Sequence, residues 1–128
     1  MNLRAVATLT LHKASVSTTA AGTELDLQKY FVNPGKREMK AVVTAISAAV
    51  SSDSGAFDYK LQESTTTVDS DFSDISGAAT TQVVDTDTNT DQVIHFYTKN
   101  QYIRGYATIG GGQVWYVTAH VFAVKRDA

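Results

Sequence analysis

Cysteine is absent from the 128 residues, and proline occurs once, at Pro34. Without thiols there is no disulfide framework, no Cys-ligated zinc or iron–sulfur centre and no thiol nucleophile. The redox compartment stays open. Glutamate is confined to Glu24, Glu38 and Glu63, and no pattern sets two carboxylates across a cleft as glycoside hydrolysis requires. No stretch approaches the roughly 18 apolar residues of a membrane-spanning helix. The opening Met1-Asn2-Leu3-Arg4 lacks the basic and apolar regions of a secretory signal, so the expectation is a soluble chain made in the cytoplasm. Charge of one sign is scarce too: 11 Lys and Arg against 13 Asp and Glu leave −2. That field is too weak to favour nucleic acid.

The small net charge hides a polarity. Residues 1–40 carry Arg4, Lys13, Lys29, Lys36, Arg37 and Lys40 against Glu24, Asp26 and Glu38, a local +3, and the remainder carries −5. With 43% hydrophobic residues, a chain of this length buries enough surface for a single core without a structural metal.

Hydrophobic periodicity is mostly two, and β-branched and aromatic residues fall in short runs between Gly, Asn, Asp and Ser, the pattern of strands. Leu3, Ala5, Ala7, Leu9 and Leu11 alternate with polar residues in a first strand. Residues 14–22 are small and polar and read as a loop or extended arm. After a short run at 23–27, Asn33-Pro34-Gly35 marks a turn. Residues 38–50 fit both periods: Met39, Val42, Val43, Ile46 and Val50 share a helical face, whereas Val42, Val43, Thr44 and Ile46 suit a strand. Strand neighbours favour strand. Residues 56–64 alternate most cleanly, with Phe57, Tyr59 and Leu61 against Asp58, Lys60 and Gln62.

An acidic loop at 65–74 follows, with Phe72 and Ile75 as plugs, then a weak strand near 80–84 and strands at 92–98 and 102–109. The last strand, 113–125, is apolar on both faces: Trp115, Val117, Ala119, Val121 and Ala123 on one, Val114, Tyr116, His120, Phe122 and Val124 on the other. One face fills the core, and the other requires a cover, either a further sheet layer or a second subunit. About eight short strands predict an all-β chain, an antiparallel β-sandwich or jelly roll. Residues 1–22 form an N-terminal strand and arm, and residues 23–128 form the sandwich, within one domain.

Chemistry-bearing motifs are weak. Asp85-Thr86-Asp87-Thr88-Asn89-Thr90-Asp91 resembles the start of a calcium loop, but Thr90 takes the place of the turn glycine and Phe96 that of the final bidentate carboxylate. A solvated connection is the simpler account, as for Asp69, Asp71 and Asp74. His12, His95 and His120 are widely separated inside strands, without metal-ligand spacing. Gly110-Gly111-Gly112 lacks the lysine of a phosphate loop and no Gly-x-Ser-x-Gly elbow occurs. No catalytic group, metal or cofactor is expected. Arg104, with Tyr102 and Tyr106 two residues away on the same face, offers a guanidinium stacked between rings as a partner or sugar contact, or else a surface cluster of the sheet.

Phe57-Asp58-Tyr59-Lys60-Leu61-Gln62-Glu63-Ser64, Asp71-Phe72-Ser73-Asp74-Ile75 and Tyr102-Ile103-Arg104-Gly105-Tyr106-Ala107-Thr108-Ile109-Gly110-Gly111 together resemble the strand motifs of capsid decoration, or cement, proteins of tailed bacteriophages. The likeness spans residues 23–125 and excludes 1–22. It implies a non-enzymatic β-sandwich subunit on the outside of a virion, made in the cytoplasm of a bacterial host. Such a subunit binds the major capsid protein and copies of itself, without cofactor, nucleic acid or membrane. Capsid lattices rich in three-fold positions favour a trimer over a dimer. Tyr102, Arg104, Tyr106, Tyr116, His120 and Phe122 are the candidate subunit or partner interface. Leu3, Arg4, Leu9, Leu11 and Lys13 form a candidate capsid-contacting arm, continued by residues 15–22, which would add a strand to a capsid edge. The basic N-terminal third would face the shell and the acidic loops solvent. The alternatives are a tail or head–tail junction protein, which shares the fold, and a carbohydrate-binding module using Trp115, Tyr102 and Tyr106 as a stacking platform.

Overall fold

Strand alternation resolves into two antiparallel sheets packed face to face in a computed structural model that describes residues 8–16, 19–29, 37–47, 55–84, 90–110 and 114–123. The first sheet, sheet A, has the order β1-β10-β4-β8, from β1 (Thr8–Val16), β10 (Trp115–Ala123), β4 (Arg37–Ser47) and β8 (Thr90–Thr98). The ambiguous segment is therefore a strand over 37–47. Its β-branched residues suit the pleat.

Sheet B is centred on β5 (Ala56–Ser64) and β9 (Tyr102–Gly110), and each of its margins is an interrupted strand. Along β9 run β2 (Ala20–Ala21) and β3 (Leu25–Asp26), with Ala20 opposite Ala107 and Leu25 opposite Ile103; Gly22 donates its N–H to Gly105 O at 2.8 Å between them. Along β5 run β6 (Ser73–Ala79) and β7 (Val83–Val84). The pairing jumps from Lys60↔Ala79 to Gln62↔Asp74, so three extra residues bulge out of β6. Gly77 takes φ +73° in that bulge, a left-handed conformation that glycine adopts without steric cost. The bulge turns Ile75 and Ala78 into the core, and β6 packs against β8 of the opposite sheet.

Two expectations are corrected here. Residues 73–79, of which 73 and 74 are read from sequence as the end of an acidic loop and 75 as a plug, form a strand, hidden in the sequence because the bulge breaks its alternation. Residues 8–11 are strand as expected, but residues 14–16 and 19–22, read from sequence as a loop or extended arm, are built into the two sheets: β1 pairs with β10, and β2 with β9. Leu9 and Leu11 are buried core residues and cannot also lie against a capsid. Leu3 and Arg4 lie outside the described residues, as does the side chain of Lys13, whose backbone pairs with Thr118.

The expected alternation of β5 puts Phe57, Tyr59 and Leu61 in the core, and of the two apolar faces of β10 the Trp115 face is the buried one. Trp115, Val117, Ala119 and Val121 of β10 and Met39, Ala41, Val43 and Ala45 of β4 face Phe57, Tyr59 and Leu61 of β5 and Ile103 and Ala107 of β9. The Phe57 ring centroid lies 5.5 Å from that of Trp115 and 6.0 Å from that of Tyr59. Tyr59 lies over Gly105, where a Cβ would come within 1.6 Å of its Oη and 2.2 Å of its Cζ. Glycine is thus required for a close approach. Burial drives the Tyr59 phenol far above its ordinary ionisation range.

Gly105→Ala should destabilise the fold by at least about 1–3 kcal/mol, the usual cost of overpacking. In a Tyr59→Leu background the same change should cost much less. Urea unfolding of the four proteins measures this coupling directly.

Candidate functional site

Inward burial leaves each sheet an outer face, and the two faces differ in chemistry. On sheet B, β9 turns Tyr102, Arg104 and Tyr106 outward beside Ser64, Gln62 and Lys60 of β5. Arg104 is nevertheless buried, because the segment from Thr65 to Phe72 folds over it. Its Nε donates to Gln62 Oε1 at 2.8 Å, its Nη1 is ion-paired with Asp69, and its Cζ lies 4.2 Å from the centroid of the Phe72 ring. Gln62 passes the contact on through Nε2 to Asp74 Oδ1 at 2.9 Å, while Lys60 Nζ reaches Asp74 Oδ2 at 3.0 Å and sits 5.2 Å from the Tyr106 ring centroid.

Thr66 ties the covering segment to itself, accepting from Val68 N–H and donating to Asp71 Oδ2 at 2.6 Å. Phe72 is thus a lid on Arg104, not a plug of the core, whereas Ile75 does enter the core. This corrects the picture of Arg104 as a contact group stacked between Tyr102 and Tyr106. Its guanidinium holds the acidic loop and is already covered.

Asp69, Asp71 and Asp74 each have a separate protein partner, and among the described residues no three His, Asp or Glu side chains converge. Most of the calcium-like run, residues 85–89, lies outside the described residues; Asp91 accepts from Thr44 Oγ1 at 2.6 Å. Trp115 is fully buried, so it cannot serve in a sugar-stacking platform, and its Nε1 is the one buried side-chain polar atom among the described residues with no hydrogen-bond partner.

Sheet A is different. The ladders run without register shift from Trp115↔Ser47 to Ala123↔Met39 and from Thr90↔Ala45 to Thr98↔Arg37. They align Tyr116 with Ile46, Thr118 with Thr44 and Asp91, His120 with Val42 and Val93, and Phe122 with Lys40 and His95 on the outer face. Tyr116 is 56% exposed, Val93 58%, Tyr97 50% and Ile46 45%; Val42 and Phe122 are half-buried. Thr10 Oγ1 and His120 Nδ1 lie 3.4 Å apart at the β1 side. A flat apolar patch with Lys40, His95 and His120 set into it is a surface suited to burial against another macromolecule.

Of the interface residues expected from sequence, Tyr116, His120 and Phe122 meet on this face. Tyr102, Arg104 and Tyr106 lie on the other sheet and belong to the loop-holding cluster. Sequence reasoning missed Val42, Ile46, Val93 and Tyr97 as members of the patch. The outward alternation of Val93, His95 and Tyr97 was visible, but the register bringing β4 and β8 beside β10 was not. Comparison with protein-family models and with curated proteins finds no match to this sequence.

Two outcomes test the sheet B cluster. Arg104→Lys should cost about 1.5–3 kcal/mol, the range for hydrogen bonds to charged groups, because the separate Nε and Nη1 donors of the planar guanidinium reach Gln62 and Asp69 from positions that a single ammonium point does not reproduce. Amide exchange in residues 65–72 should accelerate with it. Separately, the hydrogen bonds from Gln62 and Lys60, with the Lys60 charge, lower the Asp74 pKa below its ordinary 3.8. The stabilisation by Asp74 is therefore complete above that value and is lost as pH falls through the lowered one. Asp74→Asn should be less stable than the parent at neutral pH, and the gap should narrow below pH 3.8.

Proposed function

We propose that this chain is a non-enzymatic virion structural protein that decorates the outside of a tailed-phage capsid, binding the major capsid protein and neighbouring copies of itself. The observation that carries this reading is the exposed apolar face of sheet A, in which Tyr116, Ile46, Val42, Val93, Phe122 and Tyr97 share one side of an uninterrupted ladder. A cement subunit needs a stiff scaffold and a broad sticky surface, and no cofactor. The strand motifs of residues 57–64, 71–75 and 102–111 resemble those of such proteins and support the same reading.

The acidic loops and the apolar face together give the orientation. The outer face of sheet B bears Asp58, Asp69, Asp71 and Asp74 against Lys60 and Arg104, whereas the sheet A face sets Lys40, His95 and His120 beside Glu38 and Asp91 in a surface that is largely apolar. Sheet A then faces the shell and neighbouring subunits, and sheet B faces solvent, where like-charged loops keep particles apart. Lys40 of the basic N-terminal third lies on this face, whereas Leu9 and Leu11 of the expected arm are in the core.

The test is co-sedimentation of purified protein with capsids that lack it. Val93→Ser with Tyr116→Ser should reduce binding by about tenfold or more, as removal of interface anchors does, and change the melting temperature little, because both side chains are over half exposed. Unchanged binding would overturn the role of this face.

A further inference from the structure

The four sheet margins are not equally protected. Both margins of sheet B are interrupted by bulges, and β1 has a register irregularity between Thr10 and His12. Such breaks prevent one sheet from extending another. β8 has none. It pairs with β4 residue by residue over its whole length, and among the described residues no strand pairs with its other side. The neighbouring segment of sheet B reaches β8 through a side chain: Gln92 Oε1 accepts from Thr81 N–H at 2.9 Å, and Gln92 Nε2 donates to Thr81 O at 3.1 Å. Alternate residues of a strand direct their N–H and C=O groups to opposite sides, so half the backbone polar groups of β8 point to this open margin.

The residues along β8 are complementary to themselves. Antiparallel pairing of two copies that keeps outer face with outer face must be centred on a residue, since directly opposed residues share a face. Centred on His95, the outer-face pair is Val93 with Tyr97, the inner-face pairs are Ile94 with Phe96 and Gln92 with Thr98, and Asp91 comes opposite Lys99, the residue that directly follows the strand. Every pair matches apolar to apolar, polar to polar, or acid to base. Moving the centre to Ile94 sets Gln92 against Phe96 and Val93 against His95. Moving it to Phe96 sets Val93 against Lys99 and Ile94 against Thr98.

We propose that β8 pairs antiparallel with β8 of a second copy about a two-fold axis at His95, joining the two A sheets into one eight-stranded sheet. The order becomes β1-β10-β4-β8-β8-β4-β10-β1, and the two apolar outer faces merge into a single surface. A two-fold contact closes on itself, so the repeating unit is a dimer where lattice geometry alone favours a trimer. Asp91 and Lys99 are both exposed, and opposed charges at directly paired positions stabilise antiparallel strands. The pairing needs no capsid, so its failure and that of the decoration reading are separate results.

Sedimentation equilibrium of the purified full chain, without particles, provides the test, with circular dichroism confirming the fold of each variant. Lys99→Asp, which leaves the Thr44–Asp91 hydrogen bond in place, should weaken dimerisation by about tenfold, since each dimer has two such pairs. Asp91→Lys should act in the same direction. The double variant Asp91→Lys/Lys99→Asp should recover dimerisation to within about threefold of the parent, because the charges are exchanged and the pairs remain. A parent chain that stays monomeric, single variants without effect, or a double variant as weak as the singles would each overturn the proposal.

Discussion

The spacing of the two sheets depends on one close contact, the Tyr59 ring lying over Gly105. A side chain at 105 would lift the Tyr59 ring off β9 toward sheet A, since the atoms it meets are those of the ring and not the β5 backbone. Phe57 and Trp115 continue the aromatic row from Tyr59 across the interior, so the same fit sets how β10 and β4 lie above β5 and β9. With the inner face of sheet A committed to this row, Ile46, Val93 and Tyr116 on its other face are left exposed. The exposed patch is therefore a consequence of the core and not a departure from it.

The two outer faces show two ways of dealing with surplus apolar and charged groups. Sheet B covers its own centre: Phe72 closes over Arg104, Asp69 neutralises it, and Gln62 and Asp74 relay the contact to Lys60. Sheet A has no such covering segment among the described residues, and Tyr116 and Val93 stay exposed. Its margin at β8 likewise lacks the interruptions found at the other margins. Open face and open margin lie on the same sheet, which makes sheet A the side through which contacts with other molecules are most readily formed.

Much of this was legible from the chain. Period-two alternation placed β5, β8, β9 and β10 within a few residues, because each has one face in the core and no insertion to disturb the pattern. It failed at β6, where Ile75 and Ala78 both turn inward across a bulge whose Gly77 has a positive φ. Alternation counts residues along one strand and cannot register an excess over its partner. It also failed at Arg104: spacing put the guanidinium on an outer face correctly, but its burial depends on a loop whose Asp69 is 35 residues away in sequence. The N-terminal stretch misled for a related reason. Residues 14–16 and 20–21 take their place in the sheets by backbone pairing, which side-chain chemistry does not reveal. Membership of the sheet A patch required the order β10-β4-β8, a long-range fact absent from local pattern.

The central claim is that this face serves an assembly on a virion. Quantitative mass spectrometry of density-purified phage particles from a lysate expressing the chain measures that most directly, through its copy number relative to the major capsid protein. The account predicts near-stoichiometric copies. A handful per particle would assign the chain to a tail or junction, and absence from particles would contradict the account outright.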